Sequence, residues 1–113
     1  MSQTDQLSAT FAALADPTRR AILARLARGE ATVNELAAPL PMSLPSAMQH
    51  LGVLEAAGLV RSEKVGRVRT CQVVPEALRG VERWLSERRT GWERRLDRLG
   101  RYLDETQDDG DPK

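Results

Sequence analysis

Six side chains near the middle of the chain have the right chemistry to read the edge of another molecule. They are Ser43, Leu44, Ser46, Met48, Gln49 and His50, within SLPSAMQHLGVLEAAGLV at residues 43–60. On a helix turning about 100° per residue, Ala47, Leu51 and Leu54 gather on one side and should face a core. Pro45, Met48, Gln49 and Gly52 fall on or beside the opposite side. A glutamine amide carries both donors and an acceptor, so Gln49 can pair bidentately with an adenine edge. Leu44 and Met48 suit apolar contact with a thymine methyl. Ser43 and Ser46, at the helix start, offer hydroxyl and backbone N–H groups to a phosphate. The plainer reading of the same residues is a capping serine and an ordinary surface glutamine. His50, the single histidine, lies about 60° from the centre of the apolar side, on its border.

A basic segment follows directly. Between residues 61 and 69 stand Arg61, Lys64, Arg67 and Arg69 against Glu63 alone. All but Arg67 lie in two β-branched runs, 60–65 and 68–74, around Gly66-Arg67, which is the pattern of a β-hairpin. Lys64, Arg67 and Arg69 are the candidate phosphate contacts. Alternation along the strands splits these side chains between two faces, so not all of them can reach one partner. Net charge is only +1, so the distribution of charge carries the information rather than the total. Residues 30–60 contain no Lys or Arg. A DNA-reading helix here would lack cations of its own. Attraction to phosphate would fall to the hairpin, with Arg19 or Arg20 as further candidates.

Other chemistries find little support. Stable transition-metal sites use three or four Cys, His or carboxylate ligands, and one Cys with one His falls short. No metal or other cofactor is implied. Cys71 has no partner thiol; Arg69 nearby could lower its pKa, but a small packing residue is the simpler use. There is no glycine-rich phosphate loop and no Ser/His/acid trio, so the chain does not read as an enzyme.

The elements that must position these residues are signposted locally. Leu7, Phe11 and Leu14 recur at helical spacing over residues 5–15. Asp16-Pro17 is a capping acid followed by proline at the first helical position, opening a helix to about Arg28, with Gly29 as its stop. Thr32 and Glu35 form a capping box for a third helix that Pro39 shortens. Ser43 caps the fourth helix and Gly58 ends it. Pro75 opens a last helical region with apolar positions Val81, Trp84, Leu85, Trp92, Leu96, Leu99 and Leu103. From Leu85 the steps are seven, four, three and four, a heptad-like seam. Thr90 and Glu93 could form another capping box beside Gly91, so the region is open to being one helix or two. The fold class is mainly α with a small β-hairpin, a winged helix-turn-helix in the order α-α-α-α-β-β-α, with a sixth helix if the last region restarts.

With 113 residues, 41% of them apolar, the chain has material for one domain with one modest core. That domain is expected over residues 1–106, with the reading part at 16–74 and the acidic stretch 107–113 as a frayed tail. No apolar run approaches the roughly 20 residues needed to span a bilayer, and the N-terminus lacks signal-peptide features. No membrane partner and a cytoplasmic location are expected. The single cysteine fits a reducing compartment.

In combination, LADPTRRAILARL from Leu14, TVNELAAPLPMSLPSAMQHLGVLEAAGLV from Thr32 and the hairpin beyond it resemble the ArsR/SmtB-type winged-helix bacterial repressors. The resemblance covers about residues 7–103 and is nearest to the metal-free branch of that family. It implies a homodimer that binds double-stranded operator DNA and is released by an effector or a covalent modification; here any small-molecule effector is unidentified. It implies an interface built from the first and last helices, at residues 5–15 and 76–104: Leu7, Phe11, Leu14, Trp84, Leu85, Trp92, Leu96, Leu99 and Leu103. Trp84, Trp92 and Tyr102 are open to a second use, lining an effector pocket between subunits. For His50 the resemblance adds a phosphate or wing contact, against a hydrogen bond within the fold. Leu44 and Gly52 depart from the family, which often carries polar or cationic residues there. Metal-sensing relatives use paired cysteines in the third helix or Asp and His pairs in the last. This chain has neither ELAAPL cysteines nor a C-terminal histidine. The rival reading is a protein-interaction module, a helical dimer whose winged fold no longer contacts DNA.

Overall fold

The computed structural model describes backbone over residues 3–110 and side chains over residues 5–106. The element order is α1 (Gln3–Leu14), α2 (Pro17–Leu26), β1 (Ala31–Thr32), α3 (Val33–Ala37), α4 (Leu44–Ala56), β2 (Val60–Val65), β3 (Val68–Val73) and α5 (Pro75–Gly110). The chain divides into two units, one ending at Val81 and one beginning at Glu82.

Helix boundaries follow local caps. The Asp16 carboxylate accepts the Arg19 N–H at 3.0 Å and Pro17 opens α2. Both halves of the Thr32–Glu35 capping box form, each at 3.2 Å. Only five residues of α3 follow, because Pro39 has no N–H with which to continue the ladder. The end of α4 is a Schellman motif. The Leu59 N–H reaches the Leu54 carbonyl and the Gly58 N–H the Glu55 carbonyl, each at 2.9 Å, with Gly58 at φ 77°. Leu54 and Leu59, the apolar pair of that motif, are fully buried.

The first unit encloses a core of Ile22, Leu36, Leu51, Leu54, Leu59 and Cys71, all fully buried, with Ala47 beneath α4. Each such leucine contributes roughly 1.5–3 kcal/mol by leaving water. The first helix is tied in by polar contacts as well. Gln6 donates to the Ala57 carbonyl at the end of α4. Arg19 donates to the Ala13 and Ala12 carbonyls at 2.7 and 3.2 Å, and Arg20 to the Leu14 carbonyl at 2.8 Å. These guanidinium groups occupy the carbonyls that a helix end leaves without partners.

The structure differs from the sequence expectation in three respects and settles one point that the sequence left open, the number of helices in the last region. The sheet has three strands, not two, in the order β1-β3-β2, with Ala31 opposite Cys71 and Thr32 opposite Thr70. Two residues are too few for any strand pattern, and their partner lies about forty positions away. Next, α5 is a single helix: the Thr90 hydroxyl bonds back to the Ser86 carbonyl at 3.1 Å rather than capping a new start. Helical backbone also continues to Gly110, into the stretch expected to fray from residue 107; residues 111–113 lie outside the described residues. The helices α1 and α2 each end one or two residues earlier than their periodicity suggested.

Candidate nucleic-acid interface

The outward row of α4 is built by the inward one. Ala47, Leu51 and Leu54 are at most 1% exposed, and this anchors the helix so that Gln49 and Met48 face solvent. Leu44 and Met48 are 48% and 40% exposed, well above what packed core residues show. Gly52 has open space where a Cβ would be, which leaves the groove beside Gln49 unobstructed. Val53, one turn beyond Gln49, is also exposed and joins this row. The sequence reading missed it, although its i+4 spacing from Gln49 was the signal.

The helix start offers less to an anion than two serines suggest. The Ser43 Oγ accepts the Ser46 N–H at 3.3 Å, so that hydroxyl is already engaged as the cap. Pro45 has no N–H at all, and the Ala47 N–H is bonded to the Ser43 carbonyl. Ser46 keeps its hydroxyl for a ligand, but the Leu44 N–H is the one backbone donor of the first turn without a partner among the described residues. His50 is half-buried, with Nδ1 3.9 Å from the Asp16 carboxylate. It therefore links α4 to the cap of α2. The Arg19 N–H, and more weakly the Arg19 and His50 charges, hold the Asp16 carboxyl below its ordinary value.

The hairpin turns at Gly66-Arg67. Gly66 has φ 64°, and no non-glycine residue among those described has positive φ, the pattern of a type II′ turn. Register places Val60, Ser62 and Lys64 opposite Val73, Cys71 and Arg69 on the face that meets the core. Arg61, Glu63 and Val65 share the other face with Gln72, Thr70 and Val68. The four cations thus have different fates. Arg61 donates to Gln72 at 2.9 Å, and Gln72 to Glu30 at 2.7 Å. Arg69 turns back toward α4, donating to the Ser62 hydroxyl at 3.0 Å with the Glu55 carboxylate at 4.0 Å. Lys64 and Arg67 are exposed and make no hydrogen bond or ion pair with another described residue.

Three candidate phosphate contacts are therefore engaged elsewhere. Arg69 faces a carboxylate, and Arg19 and Arg20 hold the end of α1. Sequence reasoning could not see any of these, because each partner belongs to a different element. Cys71 is fully buried, and burial followed by the nearby Glu55 charge pushes its thiol up, outweighing Arg69. This is the opposite of the activated thiolate a redox switch needs. Among the described residues, no three His, Cys, Asp or Glu side chains converge as a metal site.

A capped helix with an open outer row, beside a hairpin with two free cations, is the geometry of winged helix-turn-helix proteins. Residues 14–63 match the model of a helix-turn-helix domain family. The chain is 42% identical over 97 residues to the HTH-type transcriptional regulator Rv2034 of Mycobacterium tuberculosis, covering 86% of this chain and 88% of that protein. It is 54% identical to a crystal structure described as the ArsR family transcriptional regulator RHA00566, with TM-score 0.76 over 80% of this chain and 93% of the other. The chain belongs to the ArsR family of transcriptional regulators. A second similar structure is a Mycobacterium bovis fragment solved in solution and described as a homodimeric winged helix-turn-helix DNA-binding domain. It is 28% identical, with TM-score 0.60 over 84% of this chain and 85% of that one.

The residues expected at a subunit interface divide between the two units. In the first, Phe11 is exposed at 38%, Leu7 is half-buried, and Leu14 packs partly against its own core. In the second, Leu85, Trp92, Leu96, Leu99 and Leu103 are all at least half exposed. Trp84 is half-buried, with Arg88 stacked 4.7 Å over its ring. No helix in the described residues is long and apolar enough to cross a membrane.

Proposed function

We propose that this ArsR-family regulator is a homodimeric repressor that binds a roughly palindromic operator. The row Leu44, Met48, Gln49, Gly52 and Val53 enters the major groove, and Lys64 and Arg67 lie on flanking phosphates. Gln49 supplies the directional base contact; Leu44, Met48 and Val53 supply apolar contacts to thymine methyls. Ser43 contributes mainly as the cap that fixes the helix start, and Ser46 through its hydroxyl. His50 orients the helix through Asp16 rather than holding a phosphate by itself. Arg69 belongs to the wing without being a phosphate contact.

The observation that carries this reading is the outward row on α4, a helix held by its caps and by the core beneath Ala47, Leu51 and Leu54. Dimerisation is supported by the apolar seam of α5, because five large apolar side chains in line facing water mark a contact surface. With two-fold symmetry, half-sites lie about one helical turn apart. Selection of bound duplexes from a random library, with sizing of the free protein, tests both parts. A dimer that enriches an inverted repeat supports the proposal; a dimer that enriches no sequence at low salt defeats it.

One observation favours a second reading. Residues 30–60 carry no Lys or Arg, so the reading helix has no charge attraction to phosphate. A protein-interaction module would need none. The same selection separates the two.

A further inference from the structure

Glu55, Ser62 and Arg69 come from three elements, the last turn of α4, β2 and β3, and meet at one point. The Ser62 hydroxyl donates to the Glu55 carboxylate and accepts from Arg69 Nη1 at 3.0 Å. The Arg69 guanidinium is 4.0 Å from the same carboxylate, and the two charged side chains are 36% and 34% exposed. A serine hydroxyl can donate once, so this one is oriented by the carboxylate and the guanidinium together. Beyond this point the hairpin has no other side-chain tie among the described residues: Lys64, Val65, Arg67 and Val68 are exposed and carry no side-chain bond. Register also sets Arg69 directly opposite Lys64, and like charges so placed repel. Glu55 draws the Arg69 guanidinium toward the helix and relieves that repulsion. Lys64 stays exposed.

We propose that this three-element bridge is a positioning device that fixes the wing against the DNA-reading helix. Arg69 acts through Glu55 and Ser62 and does not touch DNA. The inference rests on the DNA-binding reading above. A wing held at its working angle before binding loses less freedom on binding, so its two free cations reach phosphate together with the helix contacts.

The two roles for Arg69 predict opposite signs at Glu55. If Arg69 contacts phosphate directly, Glu55→Ala releases it and removes a repelling charge, so binding strengthens. If Arg69 positions the wing, the same change weakens binding although the protein becomes more positive. The probe is the tightest duplex that the wild-type protein selects from a random library, titrated at several salt concentrations. Glu55→Ala is expected to weaken binding roughly five- to ten-fold, in the range of coupled contacts, with a shallower salt slope as the wing disengages. Arg69→Ala should do the same, and the double variant should be no weaker than Arg69→Ala alone. Ser62→Ala, which changes no charge, should move affinity and slope in the same direction. Equal or tighter binding by Glu55→Ala overturns the proposal, as do additive losses in the double variant. Loss of affinity at an unchanged salt slope overturns it too, because that marks general damage to the fold. Should Glu55→Ala fail to fold by circular dichroism, Ser62→Ala decides the matter by the same criteria. Failure of the wild-type dimer to select any duplex would instead remove the DNA-binding reading itself.

Discussion

Replacing Arg67 by Ala should change how binding depends on salt more than it changes which sequence is bound. Lys64 and Arg67 are the two wing cations with no partner among the described residues, so a dimer presents four. Each neutralised phosphate contributes about 0.9 to the slope of log K against log salt, so the wild-type slope should be about −3.6. Arg67→Ala removes one cation per subunit and should bring the slope to about −1.8. Over a fourfold rise in salt, the wild-type protein then loses about 150-fold in affinity and the variant only about 12-fold. Fluorescence anisotropy with a selected duplex and a scrambled one, from 50 to 200 mM salt, reads both quantities. Both duplexes should weaken alike, since a phosphate contact carries no base information. Arg61→Ala is the control: Arg61 is bonded to Gln72 on the other face of the sheet, and its loss should leave the slope alone. An unchanged slope in Arg67→Ala, or an equal change in Arg61→Ala, would refute the assignment of free and engaged cations.

Other outcomes follow from the same geometry. Gln49→Ala should narrow the gap between selected and scrambled duplexes by about 1–3 kcal/mol at one base position while keeping the salt slope, as competition titrations would show. Gly58→Ala should destabilise the fold by about 1–2 kcal/mol in thermal melting, because φ 77° is strained for any residue with a Cβ. The new methyl would also press Gln6, whose Nε2 lies 2.9 Å from that position, away from α4. Because the folded state holds the Asp16 carboxyl below its ordinary value of 3.8, it contributes stability that is present above that value. That contribution is lost as pH falls below it toward the lowered one. Asp16→Asn, which keeps a capping oxygen, should therefore flatten acid unfolding in that range; an identical acid limb would count against the cap. Leu96→Glu, at the middle of the exposed α5 seam, should shift the dimer toward monomer in sedimentation runs without altering the circular dichroism of the helices.

Much of this molecule was legible in order along the chain. The starts of α2, α3 and α4, the stop at Gly58 and the turn at Gly66 each depend on a few adjacent residues, since capping bonds reach only three or four positions. The exposed row of α4 was legible too, because helical period alone separates it from Ala47, Leu51 and Leu54. The resemblance to the ArsR family was carried by that same order of elements.

What only the tertiary structure decided is which charges remain available. Arg19, Arg20 and Arg69 look alike in sequence to Lys64 and Arg67, all basic residues of the helix-turn-helix and its wing. Their partners are a helix end and a carboxylate brought close by packing, at separations no local pattern encodes. The pairing of β1 with β3 and the burial that raises the Cys71 thiol arise in the same way. Caps are short-range and so are written in the sequence. A cation's freedom depends on every group that folding places around it.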